Sequence, residues 1–110
     1  MPYDVELADR LRAMLSGEPG VVEKRMFGGV AFLVDGHMAV CASGQGGLLL
    51  RVNPAQTESL LTDPRAEPFV MRGRPMSGWL RIDLDGSASD DELNRWVEHG
   101  LAYVAKLPPK

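Results

Sequence analysis

The chain has 110 residues, which is enough for one domain with a hydrophobic core and too few for two domains of ordinary size. Its hydrophobic fraction of 45% and charged fraction of 25% are those of a soluble globular protein. The single cysteine, Cys41, excludes an internal disulfide framework and a metal site built from several cysteines. The chain shows no signal-peptide features and no apolar run of roughly 18 residues, so we expect a cytoplasmic protein without membrane association.

The net charge of −3 is unevenly distributed along the chain. The segment from Lys24 to Arg81 holds seven basic and four acidic residues, a net charge of +3, which leaves −6 for the two flanks. The simplest interpretation is a solvated sheet surface beside acidic helices. The alternative is a nucleic-acid contact through the basic middle segment, although the acidic total argues against a general nucleic-acid coat.

The first predicted element is an amphipathic helix over residues 4–15, where apolar side chains recur at offsets of three and four. Asp4 is the expected N-cap, and Gly17 stands where a left-handed C-cap is expected. Arg10 and Arg12 lie off the apolar stripe, so we expect both to face solvent.

Two glycines follow a candidate short strand at residues 21–26. Gly28 and Gly29 suit a β-bulge or a corner with positive φ, where a side chain would collide with neighbouring backbone. A phosphate-binding loop would require a helix directly after the glycines, but the following residues have the composition of a strand. The sequence therefore favours a backbone corner over a phosphate site.

The dipeptide Asp35-Gly36 lies between two apolar runs and predicts a β-hairpin with a two-residue turn. Counting outward from this turn pairs Phe32 with Ala39, and it places His37 and Cys41 on the same face of one strand. Both faces of the hairpin are then apolar. We therefore expect the second face to be covered as well, either by helices of the same chain or by a second subunit.

His37 and Cys41 do not form a reactive pair on this interpretation. Four residues along a strand separate them by about 13 Å, which is too far for a shared metal ion or a nucleophile–base hydrogen bond. We expect His37 to lie at the surface at a strand end and Cys41 to be a small buried apolar residue.

The remaining strands form a meander and a second hairpin. A third strand is predicted over residues 48–52 and a short helix over residues 55–61. The second hairpin has arms at residues 68–72 and 79–85, joined by a loop at residues 72–78. Strict alternation in its second arm directs the leucine and isoleucine side chains inward and the tryptophan and arginine side chains outward.

The loop of the second hairpin is basic. Its Arg-Gly-Arg-Pro sequence resembles the core of the AT-hook, which places arginines in the DNA minor groove. The resemblance covers four common residues within a hairpin, so we favour a structural role for them. Tryptophan and arginine are nevertheless enriched at interface hot spots, which makes this region the candidate interaction surface. Its residues are Arg72, Arg74, Pro75, Trp79 and Arg81.

The last element is a helix that begins at the capping box of residues 89–92 and ends before the two prolines at residues 108–109. Its apolar stripe faces the core and consists of Leu93, Trp96, Val97, Gly100, Leu101 and Val104. The predicted order is α-β-β-β-α-β-β-α. It defines one two-layer α+β domain over residues 1–110, with a mainly antiparallel sheet.

Several stretches, taken together in order, resemble the TfoX/Sxy N-terminal domain family. They are Met26-Phe27-Gly28-Gly29, Asp35-Gly36-His37-Met38, Leu48-Leu49-Leu50-Arg51-Val52, Pro68-Phe69 and the helix around Trp96. The residues taken as the structural motif are Met26, Phe27, Gly28, Gly29, Asp35 and Gly36. The resemblance implies a fold similar to that of secretion chaperones, which agrees with the order of elements.

The same resemblance implies a regulatory role. The namesakes of the family regulate bacterial natural competence, acting in transcriptional control with a cyclic-AMP receptor protein, and they carry a second, C-terminal domain. We expect the present chain to be a stand-alone N-terminal domain, which leaves open whether it has a competence role. The family supplies no catalytic residues that can be transferred to this sequence.

The sequence thus predicts a non-enzymatic regulatory or adaptor domain that binds a protein partner and forms a homodimer. The alternative is direct nucleic-acid binding through the basic middle segment. No carboxylate pair, catalytic triad or set of metal ligands occurs at a usable spacing. We therefore predict no catalytic, cofactor-binding or metal-binding residues and no cofactor.

Overall fold

The computed structural model describes residues 3–26 and 28–108, and Phe27 of the predicted structural motif lies outside them. In chain order the elements are α1 (Val5–Leu15), β1 (Val21–Met26), β2 (Gly29–Val34), β3 (His37–Ala42), β4 (Leu48–Arg51), a 3₁₀ turn (Pro54–Gln56), α2 (Thr57–Leu60), β5 (Ala66–Met71), β6 (Arg74–Ile82) and α3 (Asp90–Val104).

The strands form one antiparallel sheet of six strands in the order β1-β2-β3-β4-β6-β5. The predicted α+β class is confirmed, and the order of elements broadly agrees with the prediction. The difference is at residues 21–26, where the candidate short strand is a full edge strand that pairs with β2 along its whole length. Four strands therefore precede the short helix.

Both long helices pack on one face of the sheet. Leu11 of α1 and Trp96 of α3 are fully buried there, in a core shared with the inward side chains of the strands. At Gly100, α3 passes so close to the sheet that an added Cβ would lie 2.9 Å from the carbonyl oxygen of Ala39. The apolar stripes of α1 and α3 thus explain why both helices pack on this face of the sheet.

The predicted helix starts are confirmed. The Asp4 side chain accepts a hydrogen bond from the backbone N–H of Leu7 at 3.0 Å, and Ser89 caps α3 in the same way. The predicted C-cap of α1 was wrong. Ser16 ends the helix in a right-handed conformation, and Gly17 does not adopt positive φ.

Arg10 corrects a second expectation about α1. Its guanidinium is largely covered and does not face solvent, because it donates hydrogen bonds to the carbonyl oxygens of Gly86 (3.0 Å) and Ala88. It also pairs with Asp90 at the start of α3. The sequence pattern of α1 contains no sign of this contact, since the partners lie more than 70 residues away along the chain.

The second hairpin turns earlier than predicted. Arg72 and Gly73 both have positive φ (+54° and +78°) and form a two-residue turn, so β6 already begins at Arg74. The expected loop at residues 72–78 was therefore wrong. The additional residues of β6 are accommodated by a break in register between Pro68 and Val70 of β5.

An ion-pair network joins α3 to the segment before β5. The guanidinium of Arg95 lies 2.9 Å from the Asp63 carboxylate and 3.2 Å from that of Glu92. The hydrogen bond from Arg95, assisted by the backbone N–H of Arg65, lowers the pKa of Asp63. The indole N–H of Trp96 is the main cause that lowers the pKa of Glu92.

These lowered pKa values predict a loss of stability in acid. A carboxylate whose folded-state pKa is depressed stabilises the fold above its unfolded pKa, near 3.9 for Asp, and this contribution disappears as the pH falls through the folded value. We expect Asp63→Asn to lower the free energy of unfolding by less than about 1 kcal/mol at pH 7, because the pair is partly exposed. The gap to wild type should narrow as the pH falls below the unfolded value near 3.9.

Urea unfolding between pH 7 and pH 3 measures this difference. Glu58→Gln removes an exposed carboxylate from the neighbouring α2 and is the matched control. A deficit of Asp63→Asn that stays constant across this pH range would contradict the assignment.

Candidate functional site

A β-bulge in the first hairpin determines which side chains reach each face of the sheet. The turn itself is confirmed, since Asp35 and Gly36 both have positive φ (+51° and +88°). Beyond it, however, Phe32 pairs with Val40, and not with Ala39 as counted from the turn. One extra residue in β3 reverses the face of every later side chain in that strand.

The bulge separates His37 from Cys41. His37 lies on the helix side, where its Nε2 is 2.7 Å from the carbonyl oxygen of Pro108. Cys41 instead packs beside Ala31 on the opposite side of the sheet. The expectation that they share a face was wrong. The two side chains are nevertheless separated, as predicted, because the sheet lies between them.

That opposite side is the candidate site, which we call the helix-free face. No described residue of a helix contributes to its apolar cluster. The buried members are Ala31, Leu33, Met38, Cys41 and Leu49, with Met26, Phe69 and Trp79 packed against them. Side chains of the β5–β6 hairpin therefore cover this side in part, where the sequence analysis expected either helices or a second subunit.

A small cavity opens between this cluster and the β5–β6 hairpin. It has a volume of about 90 Å³ and is lined by Met38, Leu49, Phe69, Met71, Met76 and Trp79. Beside it lies a more polar cleft of about 290 Å³, which shares Leu49, Phe69 and Met71 with the cavity. The cleft adds Cys41, Ser43, Gln45, Val70, Arg72 and Arg81. An apolar pocket and a cationic cleft thus lie side by side.

Arg81 forms a wall of the cleft. Its guanidinium donates a hydrogen bond to the carbonyl oxygen of Gly46 at 2.9 Å and a longer one to Ser43 Oγ at 3.3 Å. Its Nε lies 3.6 Å from the carboxylate of Glu67. These contacts hold the side chain against the loop between β3 and β4, so Arg81 is less available to a ligand than the sequence suggested.

Trp79 is held by a neighbouring cation. The guanidinium of Arg51 lies 5.3 Å from the centre of the Trp79 ring and 5.5 Å from that of Tyr103, within the range of cation–π attraction. One side of the indole therefore contacts Arg51 while the ring lines the apolar cavity.

Arg72, Arg74 and Pro75 are all exposed at the tip of the β5–β6 hairpin. Within residues 3–26 and 28–108, neither arginine lies within ion-pair distance of a carboxylate. Arg74 pairs directly with Met71 across the turn, and directly paired residues share a face. The structure thus brings Arg72, Arg74, Trp79 and Arg81 to one side of the molecule, and Pro75 pairs with Val70 beside them.

The apolar part of this site was not predicted from the sequence. Met71 and Met76 line the cavity, and Val70 is 54% exposed beside them. Their common position depends on the turn at Arg72-Gly73. An arginine rarely adopts positive φ, so the chain carries only a weak signal for a turn at that point.

The glycine motif adopts a backbone corner. Gly28 has φ of +75°, and a Cβ on Gly29 would lie 2.0 Å from the carbonyl oxygen of Ala42. Met26 precedes the corner at the end of β1 and packs against the cluster of the helix-free face. The motif therefore positions the strands that form the floor of this face.

Cys41 lies at the base of the cleft. Burial raises the pKa of its thiol to about 11, so the nucleophilic thiolate is scarce at neutral pH. In the described part of the chain, no three His, Cys, Asp or Glu side chains are grouped so that they would hold a metal ion. Among the same residues, no helix combines the length and hydropathy needed to cross a membrane. The chemistry that the helix-free face does offer is apolar contact and guanidinium hydrogen bonding.

The fold and this surface define a small α+β domain with two helices on one side of a sheet and a partly covered apolar face on the other. The model of the TfoX N-terminal domain matches residues 13–103, and the chain belongs to that family. Membership is consistent with a regulatory or competence-related role, and the family is not a known enzyme family. Neither the search of curated proteins nor the search of solved structures found a match. The likeness to secretion chaperones stays a prediction.

Proposed function

We propose that this domain is a non-enzymatic regulatory adaptor that binds a protein partner through the helix-free face. The observation that supports the proposal is the grouping of exposed apolar side chains at one hairpin. Val70, Met71 and Met76 are each at least 36% exposed. The two methionines line the apolar cavity, and Val70 lines the adjoining cleft. Contiguous exposed apolar groups next to a pocket are typical of interaction sites.

The size of the apolar cavity favours a single side chain as its occupant. Its volume of about 90 Å³ is far below the roughly 300–1,000 Å³ of small-molecule sites, and only together with the more polar cleft of about 290 Å³ does it reach the lower end of that range. It suits one side chain of a larger partner. The methionines at its rim have flexible side chains that adapt to such a group.

An adaptor of this kind acts through binding alone. Its binding to a regulator would alter how that regulator meets its other partners, without any chemical step on this domain. A cytoplasmic site of action is part of the proposal, because transcriptional control in bacteria takes place there.

We expect partner binding to be lost when the rim of the cavity becomes polar. Met71→Ser combined with Met76→Ser should reduce recovery of the partner from a host lysate at least about tenfold, since loss of a hot-spot contact commonly weakens binding by 2 kcal/mol or more. The measurement is a pull-down followed by quantitative mass spectrometry.

Val5→Ser is the matched control, because Val5 is 43% exposed on α1, away from the helix-free face. Circular dichroism must show that the variants remain folded. Equal recovery of the same proteins by wild type and by the double variant would contradict the proposal.

A further inference from the structure

We propose that the helix-free face binds an acidic segment of the partner protein that carries a large apolar side chain. The apolar side chain enters the cavity lined by Met71, Met76 and Trp79, and the carboxylates of the segment meet Arg72 and Arg74 at the hairpin tip. This inference depends on the proposed function and specifies the chemistry of the partner.

Charge is distributed unevenly between the two sides of the sheet. Directly paired residues share a face, so pairing with members of the apolar cluster identifies the charged side chains that face the helix-free side. The basic ones found in this way are Lys24, Arg51 and Arg81, although the Arg51 guanidinium also lies 5.5 Å from the ring centre of Tyr103 in α3. Arg74 joins them because it pairs with Met71, which lines the cavity. The one acidic side chain found there by the same pairing is Glu67, opposite Arg81. The helices on the other side begin with acidic first turns.

Among the residues that the structure describes, the tip arginines have no carboxylate partner, whereas three arginines on the helix side are paired. Arg10 meets Asp90, Arg12 meets Glu23 and Asp9, and Arg95 meets Asp63 and Glu92. On the helix-free side, Glu67 is already occupied with Arg81.

Within the described residues, Arg72 and Arg74 have no carboxylate within ion-pair distance. An acidic partner would supply carboxylates for these two arginines. Charge complementarity of this kind steers association and sets register.

A second copy of the chain is a poorer occupant. A two-fold dimer contact brings the same patch of both subunits together, so the cations of one copy would oppose the cations of the other. The homodimer predicted from the sequence therefore requires a different surface or a net gain from apolar burial.

Nucleic acid is also a poorer occupant. Phosphates would satisfy the two tip arginines, but Val70, Met71 and Met76 would then face a hydrated polyanion, with the apolar cavity unfilled. A protein segment satisfies both halves of the site, because it offers carboxylates and apolar side chains together.

The experiment is a selection from a random twelve-residue peptide display library on the immobilised wild-type domain at low salt. We expect enriched peptides to combine Asp or Glu with a large aliphatic or aromatic side chain and to carry a net negative charge. Binding of the leading synthetic peptide, followed by fluorescence polarisation, should weaken as salt is raised.

Two variants separate the halves of the site. Arg72→Glu with Arg74→Glu, and Met71→Ser with Met76→Ser, should each weaken binding of the leading peptide about tenfold or more. The matched control is Arg25→Glu with Lys106→Glu, a charge reversal of equal size at exposed positions away from this face, which should leave affinity within about twofold.

Several outcomes would overturn the inference. These are enrichment of basic or uncharged peptides, no enrichment over the bare support, and binding that the Arg72→Glu/Arg74→Glu variant retains. A dimer in light scattering that Met71→Ser/Met76→Ser dissociates would identify a second copy as the occupant. Displacement of the peptide by a short DNA duplex or RNA hairpin at low salt would identify nucleic acid.

The pull-down distinguishes the failure of this inference from the failure of the proposed function. Where the lysate partner still depends on Met71 and Met76 but acidic peptides are not selected, the adaptor function stands and the acidic occupant is wrong. Where neither recovery of the lysate partner nor binding of the peptide depends on Met71 and Met76, both the adaptor function and the acidic occupant are wrong.

Discussion

Gly29→Ala is expected to lower the free energy of unfolding by about 3 kcal/mol or more, a large effect for one methyl group. The added Cβ would lie 2.0 Å from the carbonyl oxygen of Ala42 and 2.9 Å from the backbone nitrogen of Gly44. Both are backbone atoms, and Ala42 is held in the ladder between β2 and β3 by its pairing with Val30. No side-chain rotation relieves the overlap, so the two strands would have to move apart.

Gly17→Ala is the matched control for this substitution. Gly17 follows α1, does not adopt positive φ, and has no atom within 4 Å of an added Cβ. We expect its stability to be unchanged or raised by about 0.5 kcal/mol, because alanine restricts the unfolded chain. Urea unfolding followed by circular dichroism compares the two variants. The slope of the unfolding free energy against urea concentration should be the same for both. Equal free energies of unfolding would refute the close contact at Gly29.

The consequence for function follows from the position of β2 and β3. Ala31, Met38 and Cys41 of these strands form part of the floor of the helix-free face. A backbone shift at Gly29 would therefore disturb the cluster that supports the apolar cavity. This explains in physical terms why a glycine pair without chemistry of its own belongs to the recognisable motif.

Trp96→Ala is expected to cost about 3–5 kcal/mol of stability, the range for removing a buried aromatic side chain. Trp96 is 1% exposed in the core between α3 and the sheet. Its indole N–H also donates a 3.1 Å hydrogen bond to the carboxylate of Glu92. The substitution would leave a cavity and remove this donor, so two stabilising contributions are lost together.

Trp96→Phe separates these contributions, because phenylalanine keeps most of the burial and lacks the indole N–H. We expect it to cost about 1–3 kcal/mol, between alanine and wild type. Asn94→Ala, at an exposed position of the same helix, should stay within about 0.5 kcal/mol. Thermal and urea unfolding measure all three variants. A midpoint for Trp96→Ala equal to that of wild type would contradict the packing of α3.

The Trp96 variants also test whether the helix side of the sheet provides stability while the helix-free face provides binding. α3 lies opposite the helix-free face, so Trp96→Phe should leave the affinity of the leading acidic peptide within about twofold of wild type. By contrast, the Met71→Ser/Met76→Ser variant should weaken binding with little loss of stability, because both methionines are partly exposed. The opposite pattern would indicate that the partner binds on the helix side.

The sequence by itself determined the local features of this protein. The caps at Asp4 and Ser89, the hairpin turn at Asp35-Gly36 and the apolar stripe of α3 are confirmed. Each depends on residues within a few positions of one another, so its physical cause lies entirely in the local sequence. The family resemblance rested on the same local motifs and is also confirmed.

Only the tertiary structure decided where the candidate site lies. The bulge in β3 moved Cys41 to the helix-free face, because one inserted residue reverses a period of two and leaves no mark in the apolar pattern. The tight turn at Arg72-Gly73 placed Met71 beside Met76, although arginine is an unusual residue for positive φ. Arg10 donates hydrogen bonds to carbonyl oxygens that lie more than 70 residues away along the chain. These outcomes depend on contacts between distant segments, which form only when the whole sheet is assembled.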